Sequence, residues 1–248
     1  MSAWEHDACL AARTLKRPEQ GGVAAGMTAD THRRAGADSV HALEAHCAAL
    51  STCTRCAHGP EIRPIVSHAR SPRAMLVGQA PGQVETGGGK PFAGRAGRTL
   101  FRWFERIGLD EATAREWLYI SAITRCYPGP HPSGRGDRVP SPAERATCGE
   151  WLDAELRIIR PTLIIPVGRL AIDRFLGPVP LASVVGQAHD VTHAGGRSLV
   201  IPLPHPSGAS SWIHQPGNVA LLDRALELLR ERLFDGQRVP ISARRRVG

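Results

Sequence analysis

No apolar run in this 248-residue chain approaches the roughly 20 residues needed to cross a bilayer. The opening residues also lack a basic stretch followed by an apolar one, the mark of a secretory leader. A cytosolic, reducing location is therefore expected, where the six cysteines serve as free thiols or metal ligands rather than disulfides. Lysine is scarce as well. Lys16 and Lys90 are the only two, which leaves few amines for Schiff-base chemistry. The Gly-rich segment "GQAPGQVETGGGKPFAGRAG" lacks the Gly-Lys-Ser/Thr ending of a phosphate loop, which argues against a nucleoside triphosphatase.

Arginine is what the chain has in quantity. The formal net charge is +8 and the isoelectric point about 9.8, a balance that suits a polyanionic partner, nucleic acid foremost. The length allows one large α/β domain or two small ones, with room for a sizeable core. Residues 1–37, rich in Ala and Gly without sustained periodicity, read as a flexible tail. Residues 38–236 form the folded domain, and 237–248 are a basic C-terminal tail.

Along the domain, "SVHALEAHCAALSTC" is an amphipathic helix running into a C-x-x-C pair. "AMLVGQAPG" is a buried strand that ends in a Gly/Pro turn, and "AGRTLFRWFERIG" is a helix. "WLYISAITRC" is a second strand, followed by a long Pro/Gly/Arg loop. "SPAERATCGEWLDAELRIIRP" opens on a Ser cap with Glu at the third helical position and stops before Pro161, a helix signature. "TLIIPVG" and "SLVIPLP" supply two further strands, with a short helix after the first and a closing helix, "NVALLDRALELLRERL", after the second. Strands alternating with helices predict a parallel four-stranded sheet covered on both faces, a three-layer αβα sandwich.

Ligands of such sheets sit beyond the C-terminal strand ends. "GQAPG" follows the first strand and "PHPSG" (204–208) the fourth, so both reach that edge. The same pentapeptide occurs at 130–134 inside the polar loop. Its placement there favours His205 over His131 as the catalytic candidate, with His131 read as part of a turn-forming copy that contacts DNA or as a coincidence of composition. The glycines of the first turn let backbone N–H groups approach a ligand, and those donors suit an oxyanion or phosphate. Glu85 is an available general base, and Phe92 an aromatic placed to stack on a planar ligand. Cys53 and Cys56, with Cys126 and Cys148, make a possible set of four metal ligands. Zinc, an iron–sulfur cluster and a set of unliganded thiols all satisfy that spacing.

Taken in order, "GQAPGQVE…GKPFAGRAGRTL", "YISAITRCYPG", "PTLIIPVGRLAI" and "PLPHPSG" resemble the uracil-DNA glycosylase superfamily. With the four cysteines they resemble its iron–sulfur branches, over roughly residues 40 to 232. The resemblance implies a [4Fe-4S] cluster on Cys53, Cys56, Cys126 and Cys148. It implies a monomeric, nucleoid-associated cytoplasmic enzyme that removes uracil from DNA, with the same fold as a non-catalytic nucleic-acid-binding module as the alternative. His205 corresponds to the histidine that hydrogen-bonds uracil O2. Gly78, Gln79 and Ala80 correspond to the turn sharing that oxygen, and Phe92 to the aromatic stacked on the flipped base. Glu85 corresponds to the acidic residue handling the attacking water or the cationic sugar. Ser207 grips substrate, and Gly208, Ala209 and Ser210 grip the phosphate and fill the gap in the duplex. Gln79 stands where several iron–sulfur relatives carry Glu. Ala122 stands where the superfamily often places an Asn that reads the uracil edge, so a wider range of deaminated bases is the alternative specificity. The loop after Cys126 lacks the basic run of a DNA-crosslinking branch, so covalent capture is not expected.

Overall fold

The computed structural model describes residues 24–56, 62–134, 136–207 and 211–235, with side chains from residue 38 onward and excepting Ser211. The chain divides into two compact units, Met1–Ala37 and Asp38–Gly248. Of the segment expected as an N-terminal tail, 1–23 lies outside the described residues and 24–37 is helical backbone. The expected C-terminal tail, 237–248, also lies outside them.

The elements run α1 (Ala24–Ser51), β1 (Ala74–Gly78), α2 (Gln83–Gly88), α3 (Arg95–Glu105), α4 (Glu111–Trp117) and β2 (Leu118–Ala122). They continue with α5 (Pro142–Ile159), β3 (Leu163–Pro166), α6 (Arg169–Leu176), β4 (His189–His193), β5 (Gly196–Val200) and α7 (Asn218–Leu233). The sheet has five strands in the order β2-β1-β3-β5-β4. The expected strands are β1, β2, β3 and β5, and each neighbouring pair among them is parallel. The expectation of a purely parallel four-stranded sheet is corrected by β4, an edge strand antiparallel to β5. Its alternate side chains are exposed, so it carries no apolar run of the kind that marks the central strands.

Those central strands are buried on both faces because their side chains alternate between two cores. Leu76, Ile120 and Ile165 pack with Phe104 of α3 and Leu226 of α7 on one face. Met75, Tyr119 and Ile164 pack with Leu43 of α1, Leu152 of α5 and Phe175 of α6 on the other. Helix ends follow local chemistry. Ser141 accepts from the N–H of Glu144 at 3.2 Å while Glu144 accepts from the N–H of Ser141 at 2.6 Å, closing a capping box at the start of α5. Asp110 caps α4 by accepting from the N–H of Thr113 at 2.9 Å. The consequence for function is geometric. The ends of β1, β2 and β3, and the chain that continues β5 through a bridge at Val167 and Leu203, all emerge at one edge.

Candidate active site

At that edge the first turn is built around glycine. Gly78 ends β1, and a side chain there would meet the ring of Phe92, whose Cζ lies 3.0 Å from the position a Cβ would take. Phe92 sits in the left-handed region at φ 54°, a strained conformation for a bulky residue. Arg115 holds it there, donating to the carbonyls of Pro91 at 2.8 Å and Phe92 at 3.3 Å. Gly97 makes room for the same carbonyl, since a Cβ would fall 1.8 Å from the Phe92 oxygen. The aromatic ring is thus pressed onto the end of β1 by contacts on both sides of its backbone.

Glu85 is buried beneath this turn, and its carboxylate is shared between two backbone donors. Oε2 accepts from the N–H of Gly82 at 2.9 Å and Oε1 from the N–H of Gly94 at 3.0 Å. The carboxylate therefore joins the two halves of the Gly-rich loop. Charge-assisted bonds of this type are stronger than neutral ones. A second carboxylate reaches the same place from the loop after β2. Both Glu85 Oε2 and Asp137 Oδ2 lie closer than van der Waals contact to where a Gly82 Cβ would be, at 2.9 and 3.0 Å. Sequence reasoning passed over Asp137, which lies 55 positions along the chain from Gly82.

His205 is partly buried at the end of the chain continuing β5. Its Nδ1 accepts from the N–H of Ser207 at 3.2 Å and lies 2.9 Å from the Ser207 hydroxyl. An Nδ1 used as acceptor puts the ring proton on Nε2. Gly168, at φ 85°, lies close against the ring, because a Cβ there would come within 2.9 Å of His205 Cδ2. Burial pushes the imidazole below its ordinary range, so the ring is held neutral with its proton on Nε2. His131 has the same local bonds, Nδ1 to the Ser133 hydroxyl at 2.7 Å and from the Ser133 N–H at 3.1 Å, on an exposed hairpin.

The four cysteines come together elsewhere. Cys53, Cys56, Cys126 and Cys148 line one cavity of about 300 Å³ with Arg125 and Trp151. Burial first, then the neighbouring thiols, pushes Cys126 up to about 12, and burial likewise raises Cys56 and Cys148. Clustered thiols of this kind ionise readily only when a cation is present to receive them. Among the described residues no three His, Cys, Asp or Glu side chains converge on a single-ion point. Four thiols around one cavity make the all-sulfur donor set that an iron–sulfur cluster takes. The donor set fits a cluster. Arg55, between the paired cysteines, lies over the Trp151 ring at 4.8 Å and binds Glu150 at 2.8 Å.

A charged network that sequence reasoning missed lies beside this cavity. Glu155, fully buried on α5, accepts from the Tyr119 hydroxyl at 2.8 Å, from Ser121 Oγ at 2.9 Å and from the Arg125 guanidinium. His46 Nε2 stands 3.4 Å away. Burial raises the Glu155 carboxyl, but Arg125 and the surrounding donors prevail and hold it below the usual carboxylate range. Arg125 also donates its backbone N–H to Cys148 at 3.3 Å, linking the network to the cysteines.

The remaining expected site residues place as follows. Gln79 and Ala80 are partly buried in the turn after β1. Ala122 pairs with Gly78 at the end of β2. Gly208, Ala209 and Ser210 lie outside the described residues. The chain's one asparagine, Asn218, starts α7 and donates to the Trp212 carbonyl at 2.8 Å.

A family model described as the uracil DNA glycosylase superfamily matches residues 66–230. The chain is similar to a type-4 uracil-DNA glycosylase of Thermotoga maritima, 33% identical over 54% of this chain and 65% of the relative. It is also similar to that of Archaeoglobus fulgidus, 34% identical over 54% and 64%, and that of Sulfurisphaera tokodaii, 27% identical over 67% and 73%. The chain thus spans a little under two thirds of the first two relatives' length.

Proposed function

This chain belongs to the uracil DNA glycosylase superfamily, and from that premise we propose that it hydrolyses the N-glycosidic bond of uracil in DNA. It acts as a monofunctional enzyme and leaves an abasic site for base-excision repair. One observation carries the reading. The His205 turn fixes a neutral imidazole that carries its ring proton on Nε2, at the ligand edge of the sheet.

Hydrolysis moves the electron pair of the C1′–N1 bond into the pyrimidine, so negative charge gathers at O2 and O4 while the sugar turns cationic. A donor already in position stabilises that anion without reorganising at the moment of reaction. His205 supplies it to O2, and backbone N–H groups of Gly78, Gln79 and Ala80 share the load. Phe92, pressed onto Gly78, is the platform for the everted base. Ser207 sets the imidazole and meets the substrate, while Gly208, Ala209 and Ser210 grip the phosphate and occupy the gap in the duplex. Glu85 brings negative charge under the loop, on the side where the sugar becomes positive, and holds the loop's shape. With only two lysines in the chain, water is the nucleophile.

Cys53, Cys56, Cys126 and Cys148 would hold a [4Fe-4S] cluster. When bound, its iron–thiolate bonds tie the end of α1, the end of β2 and α5 into one unit. Among the described residues no helix is long and apolar enough to cross a membrane. The enzyme works as a monomer on chromosomal DNA, in the cytoplasm at the nucleoid.

A broader specificity is favoured by one further observation. Ala122 offers no hydrogen bond at the end of β2, and the one asparagine is engaged at the start of α7. Hypoxanthine and xanthine present a carbonyl beside an N–H, as uracil does, so backbone donors read all three. The test is incubation with end-labelled oligonucleotides bearing uracil, hypoxanthine or xanthine, followed by alkali. Strand cleavage at uracil that H205A slows by orders of magnitude is expected. Absence of cleavage at every base would remove the enzymatic reading.

A further inference from the structure

Glycosidic hydrolysis by water needs a proton acceptor near the sugar as well as a donor near the base. Two carboxylates meet at Gly82, and their surroundings differ. Glu85 is buried, and each of its oxygens already accepts from a backbone N–H, at 2.9 and 3.0 Å. Both of its oxygens are thus engaged in holding the Gly82 and Gly94 backbone together. Asp137 is exposed and is hydrogen-bonded to the Tyr127 hydroxyl, with lone pairs left over.

Asp137 is also held in place. It closes a hairpin through the bridge to Pro130, with the N–H of His131 bonded to the Gly136 carbonyl at 2.9 Å and that of Arg138 to the Gly129 carbonyl at 3.0 Å. Arg138 anchors the hairpin to the start of α5 by donating to Glu144 at 2.7 Å. From this frame the Asp137 carboxylate reaches over Gly82, in the turn that carries Gln79 and Ala80.

Resting on the glycosylase reading above, we propose that Asp137, rather than Glu85, is the carboxylate that takes the proton from the attacking water. As the C1′–N1 bond breaks and its electron pair passes to the base, the water oxygen bonds to C1′. The proton it loses goes to Asp137 and then on to the departing uracil anion. The products are an abasic sugar with a C1′ hydroxyl and neutral uracil, with no other reactant. Glu85 is then a positioning residue, which sets the loop.

The experiment measures single-turnover release of uracil, DNA affinity and thermal unfolding for the wild-type protein, D137N, D137A and E85Q. D137N should lose about 10²- to 10⁴-fold in rate, with affinity and melting temperature close to wild type. Formate added to D137A should restore part of the rate, by about tenfold or more, because a small carboxylate refills the acceptor position. E85Q should melt earlier, and its rate should fall less than that of D137N. Should D137N itself fold poorly, the formate response of D137A decides, and no restoration overturns the assignment. An active wild type with D137N within about threefold of it overturns the role of Asp137 alone. A wild type that releases no uracil overturns the glycosylase reading and this one with it.

Discussion

The pentapeptide Pro-His-Pro-Ser-Gly occurs twice in this chain, at 130–134 and 204–208, and in both copies the histidine bonds back onto the serine. In each, the histidine Nδ1 accepts from the serine N–H two positions on, at 3.1 Å for His131 and 3.2 Å for His205. Local sequence therefore sets the turn and the ring proton's position in both. What differs is the platform. His205 follows a strand continuation at the ligand edge and rests against Gly168, while His131 stands exposed on a hairpin. A preorganised donor contributes to catalysis only where the fold aims it at developing charge and removes water around it, and of the two rings only that of His205 is partly withdrawn from solvent.

The largest expected effect separates the two copies outright. His205→Ala should lower the single-turnover rate of uracil release by about 10²- to 10³-fold, the usual loss for one oxyanion donor. DNA affinity should change little, since the donor engages charge that appears only as the bond stretches. Equal losses from His131→Ala would break the comparison, because they would mean that the turn and not its setting carries the chemistry.

Gly168→Ala tests the platform directly. The added methyl would lie 2.9 Å from His205 Cδ2, at a backbone φ of 85° that L-residues rarely adopt. The strain should cost about 1–3 kcal/mol of stability, read by denaturant or thermal unfolding. Because the ring is pushed from its place, the rate should also fall, by about 10- to 100-fold. No glycine is packed in this way beneath His131 among the described residues. A variant that loses stability but keeps its rate would show that the ring tolerates displacement.

These contrasts mark what the amino-acid sequence can tell. The central strands announced themselves as apolar runs, and α5 by Ser141, Pro142 and Glu144, because those signals are local. The setting of His205 was legible for a related reason, since a motif just after a buried strand must emerge at the ligand edge. Other features depend on distant partners. Glu155 reads as one more helical carboxylate until Tyr119, Ser121 and Arg125 are seen around it. Glu85 looked like a free base because the capping position it serves is Gly82, which has no side chain to advertise a cap. Asp137 reaches Gly82 only through the tertiary fold, and β4 hides behind alternate exposed side chains.

The acid side of the pH range offers a smaller effect with a definite sign. Burial holds the folded-state value of His205 below that of the unfolded chain, which is near 6.5. In the window between the two values the unfolded chain binds a proton that the folded one does not. This contribution is fully present above about pH 6.5, is lost as pH falls toward the folded value, and then levels off. The difference in unfolding free energy between wild type and His205→Gln, followed from about pH 7.5 to 5, isolates it from the carboxylates. A difference that stays constant with pH would mean that the buried ring exchanges protons as freely as a solvated one.

His131→Ala should have the smallest effect of all. Among the described residues the exposed ring bonds within its own turn, to the hydroxyl and N–H of Ser133. Its loss should leave the folded core intact and the single-turnover rate within about twofold of wild type. Arg138, which anchors the hairpin through Glu144, and Asp137, which reaches the Gly82 turn, both stay in place. The double variant with His205→Ala should therefore lose only what His205→Ala loses alone, because the two rings share no partner. Non-additive rates would join the two turns in one mechanism. The exposed copy would then have to act on the substrate from the hairpin side, and the division of labour drawn from burial would not stand.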